Sequence, residues 1–273
     1  MDWILIAKAA LLGLLEGATE FLPVSSTGHL IIAGDLLNFT GEESKTFKIF
    51  IQLGAILAIL VYYRERVRKV IVGPRHDPQS QRFLRNLAIA FMPAAVFGLL
   101  FHKFIKTYLF NSFTVATALI VGGFVILWLE SRPRTVRIHS VDDLRWQDAL
   151  KIGLAQSAAL FPGVSRAGAT IMGGLFFGLS RRAATEFSFF LAIPTMIVAT
   201  TYDLYKNHTL FSADQWVLLG VGFVCAFVSA FIVVKTFLDY VSRHDFRLFA
   251  YYRIVFGTIV LIVGATGIVD FSG

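Results

Sequence analysis

The feature that most constrains this chain is a set of apolar runs that approach the length of a membrane-spanning helix. Such a helix needs about 20 apolar residues, because the hydrocarbon core of a bilayer is about 30 Å thick. The six runs lie at about Phe47–Tyr63, Leu87–Phe101, Phe113–Leu129, Phe187–Tyr202, Trp216–Val234 and Phe249–Val269. Since 56% of the 273 residues are hydrophobic and only 16% are charged, we predict an all-α polytopic membrane protein with about six transmembrane helices.

The basic residues lie in polar loops between the apolar runs. The net charge is +7, and arginines are concentrated in Arg64–Arg85, Glu130–Trp146, Arg181–Arg182 and Lys235–Arg247. This placement is typical of a protein oriented in a bilayer, and it argues against a nucleic-acid partner. By the positive-inside rule we expect the arginine-rich face to be cytoplasmic, with both chain termini on the opposite side.

Two further apolar segments are too short to cross a bilayer, and each is interrupted by a polar elbow. The first runs from Trp3 to Leu15 and resumes from about Thr27 to Phe39. The second comprises Gln147–Leu160 and Ala167–Leu179. A helix of about 13 residues is roughly 20 Å long, which is shorter than the hydrocarbon core. We therefore predict two re-entrant helical hairpins that each enter and leave on one side.

The second half of the chain repeats the first when the two are aligned without gaps, with Ser25 opposite Ser165. Both elbows contain Val-Ser-x-x-Gly, at Val24–Gly28 and at Val164–Gly168. A shared polar pattern is harder to obtain by chance than apolar coincidences, so we predict a duplication within one membrane domain, 1–273, with halves of about 1–130 and 140–273. Each half has an odd number of spans, which gives an inverted-topology repeat whose elbows meet near the midplane.

The first elbow concentrates reactive side chains. Residues 16–29 hold two carboxylates, three hydroxyls and an imidazole, and such groups at membrane depth usually mark a functional site. Glu16 and Glu20 are spaced i,i+4, and Ser26 and His29 are spaced i,i+3, so each pair shares a helix face. A hydroxyl, an imidazole and a carboxylate are the groups of an activated nucleophile. Alternatively, the two carboxylates can hold Mg²⁺ or Ca²⁺ that bridges to phosphate.

We predict phosphate binding where the elbows converge. Each elbow ends in hydroxyl residues at a helix N-terminus, which offers free N–H donors and a partial positive charge to an anion. These residues are Ser25, Ser26 and Thr27 in the first elbow and Ser165 in the second. The guanidinium of Arg166 adds a planar fork that matches phosphate oxygens. Together these groups suit a diphosphate.

Structural roles compete with these assignments. Ser25–Thr27 can simply cap a helix, and Glu16 or Glu20 can be the partner of a lysine or of Arg166. A lone histidine is more often a satisfied core residue than a catalyst, although the position of His29 beside this cluster favours catalysis.

The two polar motifs resemble the signature motifs of the undecaprenyl-diphosphate phosphatase (bacitracin-resistance protein) family. They read Glu16-x-x-x-Glu20-Phe-Leu-Pro-Val-Ser-Ser-Thr-Gly-His29 and Pro162-Gly-Val-Ser-Arg166-x-Gly-x-Thr170. The resemblance covers nearly the whole chain. It implies an inner-membrane enzyme that removes the terminal phosphate of the C55 isoprenoid diphosphate and so regenerates the carrier lipid for peptidoglycan synthesis. It also implies a divalent-cation requirement and an active site that opens toward the periplasm.

Carried over by position, the resemblance implies a set of essential and supporting residues. The essential ones are Glu16, Glu20, Ser26, His29 and Arg166, supported by Ser25, Ser165 and Thr170. Ala167 departs from the pattern, since a serine often follows the arginine. The expected partners are a polyprenyl diphosphate lipid and membrane lipids, while the sequence leaves open whether the chain forms a homodimer.

The leading mechanistic hypothesis is that Ser26 attacks the terminal phosphorus while His29 or Glu20 takes its proton. Arg166 and the helix N-termini would stabilise the developing charge. Two rivals remain, in which His29 is the nucleophile or Glu20 activates water directly.

A transporter that flips the lipid carrier is the alternative function, because inverted repeats with broken helices recur in transporters. The second elbow has Gln156, Leu160 and Ala169 where the first has its two carboxylates and imidazole. This division into a chemical half and a phosphate-holding half favours a hydrolase.

Overall fold

The chain folds into helices throughout the part that the structure describes. The computed structural model describes residues 3–39, 42–72, 77–109, 111–207 and 215–266. The α-helices there are α1 (Trp3–Thr19), α2 (Ser26–Leu36), α3 (Glu42–Tyr62), α4 (Arg64–Val72), α5 (Pro78–Phe104), α6 (Ser112–Ser131), α7 (Trp146–Gln156), α8 (Arg166–Phe176), α9 (Arg181–Asn207), α10 (Gln215–Val241) and α11 (Arg247–Thr266). A π-helical turn, Ile105–Leu109, extends α5, and 3₁₀ turns lie at Val141–Asp143 and Ser157–Leu160.

The prediction of an all-α polytopic membrane protein is confirmed. Within the described ranges, five helices are long and apolar enough to cross a membrane, namely α5, α6, α9, α10 and α11. A sixth span results if α3 and α4, which meet at an angle of 81°, are counted as one bent segment. The six predicted runs coincide with these helices, except that residues 267–269 of the last run lie outside the described residues.

Both predicted hairpins are present as pairs of short helices, with different boundaries. The first helix, α1, continues to Thr19 instead of ending near Leu15, so Glu16 lies inside it. Its partner α2 runs from Ser26 to Leu36 and stops short of Phe39. The second hairpin consists of α7, a 3₁₀ turn and α8.

The prediction of a polar loop from Arg64 to Arg85 was wrong. Residues 64–72 form α4, and α5 already begins at Pro78. Two basic side chains of α4 have partners beyond the helix, one of them being Lys69, which lies 3.9 Å from Asp77. Arg66 forms an ion pair with Asp142, and this hydrogen bond lowers the pKa of the Asp142 carboxyl.

The backbone repeats in the same register as the sequence motif. Ser25 and Ser165, which occupy equivalent positions in the two elbows, have φ angles of 71° and 72°. Asn38 and Gly178, which the same alignment places opposite each other, have φ angles of 48° and 90°. Left-handed conformations are rare for residues other than glycine, so their recurrence at matched positions marks the same chain reversals in both halves.

The packing of the hairpins follows this correspondence. In the first hairpin α1 packs along α10, while in the second α7 packs along α5, and α3 and α9 pack against each other between them. Glycines on α1 and α7 let these helices approach α10 and α5 closely. A Cβ atom added at Gly17 would lie 2.3 Å from the Ala226 carbonyl oxygen of α10, and one added at Gly153 would lie 2.4 Å from that of Ala90 in α5. Small residues at such contacts let helices associate closely in a membrane.

We predict that Gly17→Ala destabilises the protein, because the added methyl group would overlap the α10 backbone. Overpacking of this kind costs about 1–3 kcal/mol. The matched control is Gly220→Ala, since nothing lies within 4 Å of a Cβ atom at that position of α10. In thermal unfolding of the detergent-solubilised protein, the Gly17 variant should melt at a lower temperature than the control. Equal unfolding midpoints for the two variants would show that α1 does not pack against α10 as closely as described.

Candidate active site

The two elbows contact each other and enclose a polar cavity. The Ser165 hydroxyl donates to the Leu22 carbonyl oxygen at 3.4 Å, so the chain reversals touch directly. Between them lies a cavity of about 280 Å³, which is also lined by residues of α3, α5 and α9. Its polar lining includes Glu20, Ser25, Ser26, Thr27, Ser165 and Arg166. The structure therefore brings six of the predicted site residues to one cavity.

Glu20 connects the two halves of the cavity. The hydroxyl of Ser26, the first residue of α2, donates to Glu20 Oε2 at 2.5 Å. Arg166 Nη2, at the start of α8, donates to Glu20 Oε1 at 2.9 Å. Each carboxylate oxygen thus accepts from a different elbow. A hydroxyl that donates to a carboxylate at this distance is placed to lose its proton as it attacks.

Arg166 is held from a second side by α9. Its Nη1 donates to the carbonyl oxygen of Ser188 at 3.0 Å, and the side chain is only 11% exposed. The guanidinium is therefore fixed at the cavity wall. Its Nε is buried and has no hydrogen-bond partner among the described residues.

Glu16 lies behind Glu20, one helical turn earlier on α1. It is fully buried, and both carboxylate oxygens lack a hydrogen-bond partner in the described part of the chain. It is close enough to Glu20 and Arg166 to interact with both electrostatically. Burying a carboxylate without a partner is costly. We therefore expect the Glu16 carboxylate either to carry a proton or to have a cation beside it.

The serines at the two helix N-termini have different roles. Ser165 caps α8, because its Oγ accepts from the Gly168 N–H at 3.0 Å. Ser25 occupies the equivalent position before α2 but makes no side-chain cap hydrogen bond. The first N–H groups of α2 are thus left open toward the cavity, where the exposed Thr27 also lies.

Thr170, which we predict to assist at the phosphate, lies behind Arg166. Thr170 is buried and does not line the cavity. Its Oγ1 donates to the Arg166 carbonyl oxygen at 2.9 Å and shares a 2.5 Å hydrogen bond with Ser188. A threonine four residues after Arg166 on a helix bonds back to that residue's carbonyl group. Thr170 therefore supports the backbone of Arg166 from behind.

His29 is engaged at both ring nitrogens, and neither contacts Ser26. Its Nδ1 lies 2.7 Å from the Ser25 carbonyl oxygen, and its Nε2 lies 2.5 Å from the Tyr252 hydroxyl. Because a carbonyl oxygen only accepts, Nδ1 carries a proton. The ring also stacks on Phe256, with ring centroids 4.1 Å apart. His29 thus holds the carbonyl of Ser25, whereas the partner of Ser26 is Glu20.

Arg253 of α11 is a site residue that the sequence analysis missed. It is 1% exposed, and its guanidinium donates to five carbonyl oxygens. The acceptors are Leu119, Pro23, Val164, Ala118 and Gly163, at 3.3, 3.1, 2.9, 3.0 and 3.1 Å. Three of these carbonyls belong to the elbows. The signal was available, since an arginine deep inside an apolar run is rare and usually functional.

We predict that Arg253→Gln lowers the stability of the protein markedly, because a glutamine cannot supply donors to five carbonyl groups. Each buried acceptor left without a donor costs about 1–3 kcal/mol. The free energy of unfolding should therefore fall by more than the removal of one core hydrogen bond would cause. Arg243→Gln, an exposed arginine just after α10, is the control. Thermal unfolding should show a much lower midpoint only for the Arg253 variant. A midpoint like that of the control would mean that the five contacts contribute little.

Comparison with known proteins places these residues in a family context. The family model of bacitracin resistance protein BacA matches residues 9–259. An undecaprenyl-diphosphatase 2 of Rhodospirillum rubrum is 59% identical over 273 residues, with complete coverage of both chains. An undecaprenyl-diphosphatase of Nitrosospira multiformis is 58% identical, and the alignment covers both chains completely. An undecaprenyl-diphosphatase of Dechloromonas aromatica is 57% identical, and the alignment covers 100% of this chain and 99% of the relative.

Proposed function

Because the chain belongs to the bacitracin resistance protein BacA family, we propose that it hydrolyses undecaprenyl diphosphate to the monophosphate and inorganic phosphate. This reaction recycles the carrier lipid of peptidoglycan synthesis and confers resistance to bacitracin. The observation that carries the proposal is the contact of Ser26, Glu20 and Arg166 in one cavity. That cavity joins a nucleophile, a base and an anion-binding group where two helix N-termini converge.

In the proposed mechanism Ser26 is the nucleophile and Glu20 is its base. The serine oxygen forms a bond to the terminal phosphorus while its proton passes to Glu20 Oε2. The bond from phosphorus to the bridging oxygen breaks, and the lipid monophosphate leaves. Arg166 and the open N–H groups of α2 stabilise the negative charge on the transferring phosphoryl group. Water then hydrolyses the phosphoserine and releases phosphate.

His29 supports this mechanism indirectly. With Nδ1 bonded to Ser25 and Nε2 bonded to Tyr252, it fixes the N-terminus of α2 beside the phosphate position. In the rival mechanism Glu20 is again the base, but it activates water directly and Ser26 does not attack. The rival in which His29 attacks phosphorus requires the ring to leave both partners.

We propose that Glu16 and Glu20 hold a divalent cation, Mg²⁺ or Ca²⁺. Glu16 offers two oxygens without hydrogen-bond partners among the described residues, and Glu20 lies one turn away. The described residues hold no cluster of three or more histidine, cysteine, aspartate or glutamate side chains, so substrate oxygens would complete the ligand set. Mg²⁺ is commonly held by one or two carboxylates plus substrate phosphates. When bound, it would neutralise charge on the diphosphate.

We place the enzyme in the bacterial inner membrane, with its arginine-rich face in the cytoplasm and the active site open to the periplasm. The support is the distribution of basic residues and the positive-inside rule. The competing function, transport of the lipid carrier, does not require the pairing of Ser26 with Glu20. A detergent assay separates the two functions, because hydrolysis there needs no membrane across which to transport.

We predict that Ser26→Ala and Glu20→Gln each lower phosphate release from undecaprenyl diphosphate by at least about 100-fold, as expected when a nucleophile or general base is removed. The assay uses purified protein in detergent with Mg²⁺ or Ca²⁺. Ser157→Ala is the matched control, since that serine donates to the Gly153 carbonyl and does not line the cavity. A wild-type protein that releases no phosphate would overturn the hydrolase proposal.

Trapping with substrate labelled in the terminal phosphate distinguishes the nucleophiles within that experiment. A base-labile, acid-stable adduct that disappears in Ser26→Ala supports the serine. An acid-labile adduct that persists in this variant would assign the attack to His29. If no adduct forms, Glu20 activates water directly.

We further predict that Glu16→Gln raises the Mg²⁺ or Ca²⁺ concentration needed for half-maximal activity by about tenfold or more, because it removes one anionic ligand. The matched control is Glu65→Gln, which removes a carboxylate whose side chain is 84% exposed on α4, away from the cavity, and should leave the cation dependence unchanged. Phosphate release measured over a range of cation concentrations gives the half-maximal concentration for each variant. An unchanged cation dependence in the Glu16 variant would remove this residue from the cation site.

A further inference from the structure

A second polar cavity lies at the arginine-rich end of the protein, away from the elbows. It has a volume of about 450 Å³ and is bordered by the end of α6, the following segment, α7 and the end of α8. Four basic side chains line it, which we call the basic rim: Arg132, Arg134, Arg137 and Lys151. Such a density of cations around one cavity suits an anionic group.

Two cations of the basic rim have no carboxylate partner. Arg132 lies over the ring of Trp128 at 4.2 Å, and Lys151 lies over the ring of Phe177 at 5.6 Å. Neither forms an ion pair with any carboxylate in the described ranges. Their aromatic contacts hold the two cations at the cavity while leaving their charge uncompensated.

The other two cations share carboxylates that are already engaged. Arg137 pairs with Asp148 at 2.5 Å. Arg134 contacts Glu130 at 3.4 Å, but that carboxylate also binds Arg181 at 2.5 Å. Moreover, Arg134 Nη1 is buried without a hydrogen-bond partner among the described residues. The basic rim therefore keeps an excess of positive charge.

An apolar groove continues from the basic rim toward the elbows. Trp128, Leu129, Phe176 and Phe177 border both the rim cavity and this groove, which has a volume of about 430 Å³. The groove follows α8, whose 11 residues measure roughly 16 Å. That length is close to half of the hydrocarbon thickness of about 30 Å. The groove thus has the dimensions of a hydrocarbon chain that reaches from the interface to the middle of the bilayer.

We propose that the basic rim and this groove bind one anionic phospholipid from the leaflet on the arginine-rich side. The phosphate lies among Arg132, Arg134 and Lys151, and one acyl chain lies along α8. The inner end of the groove is formed by Val164, Gly168 and Arg253. A bound chain would therefore pack against the back of the second elbow, separate from the cavity that holds Ser26.

Native mass spectrometry of the purified full-length protein tests the site, with dioleoylphosphatidylglycerol as the probe. We expect one lipid to bind at least tenfold more tightly than dioleoylphosphatidylcholine. The double variant Arg132→Gln/Lys151→Gln should weaken phosphatidylglycerol binding by roughly 30-fold, given the contribution of each basic residue to anionic-lipid binding. The matched control Lys235→Gln/Arg243→Gln removes the same two charges from the end of α10 and should bind like wild type.

A second pair of variants tests the groove. Val125→Trp should block the acyl chain while leaving the basic rim intact, and Val228→Trp is its control because the two valines are 43% and 45% exposed and only Val125 lines the groove. The proposal fails if phosphatidylcholine binds as tightly as phosphatidylglycerol, or if either test variant binds like its control. It also fails if inorganic phosphate binds as tightly as the lipid, which would indicate a free-anion site. Thermal unfolding checks that all variants are folded, and no step depends on phosphatase activity.

Discussion

The arrangement of this protein depends on the hydrogen bonds that Arg253 donates to carbonyl groups. Where the chain leaves helical geometry at the elbows, its carbonyl groups lose their partners within the helix, and a lipid environment supplies no water to replace them. Arg253 satisfies Pro23 of the first elbow together with Gly163 and Val164 of the second. One guanidinium therefore stabilises both chain breaks and fixes the distance between them. A lysine has too few donors, without the planar fork, to do this.

The distance fixed by Arg253 is what allows one site to be assembled from two halves. Glu20 reaches across the contact and accepts from Ser26 of its own hairpin and from Arg166 of the other. The equivalent positions of the second hairpin have no such chemistry, since the Gln156 side chain, among the described residues, accepts only from Thr195, at 3.4 Å. In the proposed mechanism, the first elbow thus carries the nucleophile and the base, and the second carries the cation for phosphate.

The sequence predicted the helical membrane architecture, both hairpins and six residues that line the cavity, because run length and local spacing report directly on helices and their faces. It did not predict which long-range partner each polar residue would take. The spacing of Ser26 and His29 suggested a pair, but His29 contacts Tyr252, which is 223 positions away. Local patterns cannot reveal such contacts, because they arise only when α11 packs against the elbows. Arg253 was overlooked for the same reason, although its polarity in an apolar run was visible.

The role of His29 follows from the backbone of the residue it contacts. Ser25 has a φ of 71°, a left-handed conformation that costs a non-glycine residue about 1 kcal/mol or more. Its side chain does not offset this cost by capping α2. The Nδ1–H of His29 donates a hydrogen bond to the Ser25 carbonyl, and this bond stabilises the turn in place of a side-chain cap. The histidine therefore stabilises a strained turn that leaves the N-terminus of α2 without a side-chain cap, and in the proposed mechanism it supports phosphate binding through that turn.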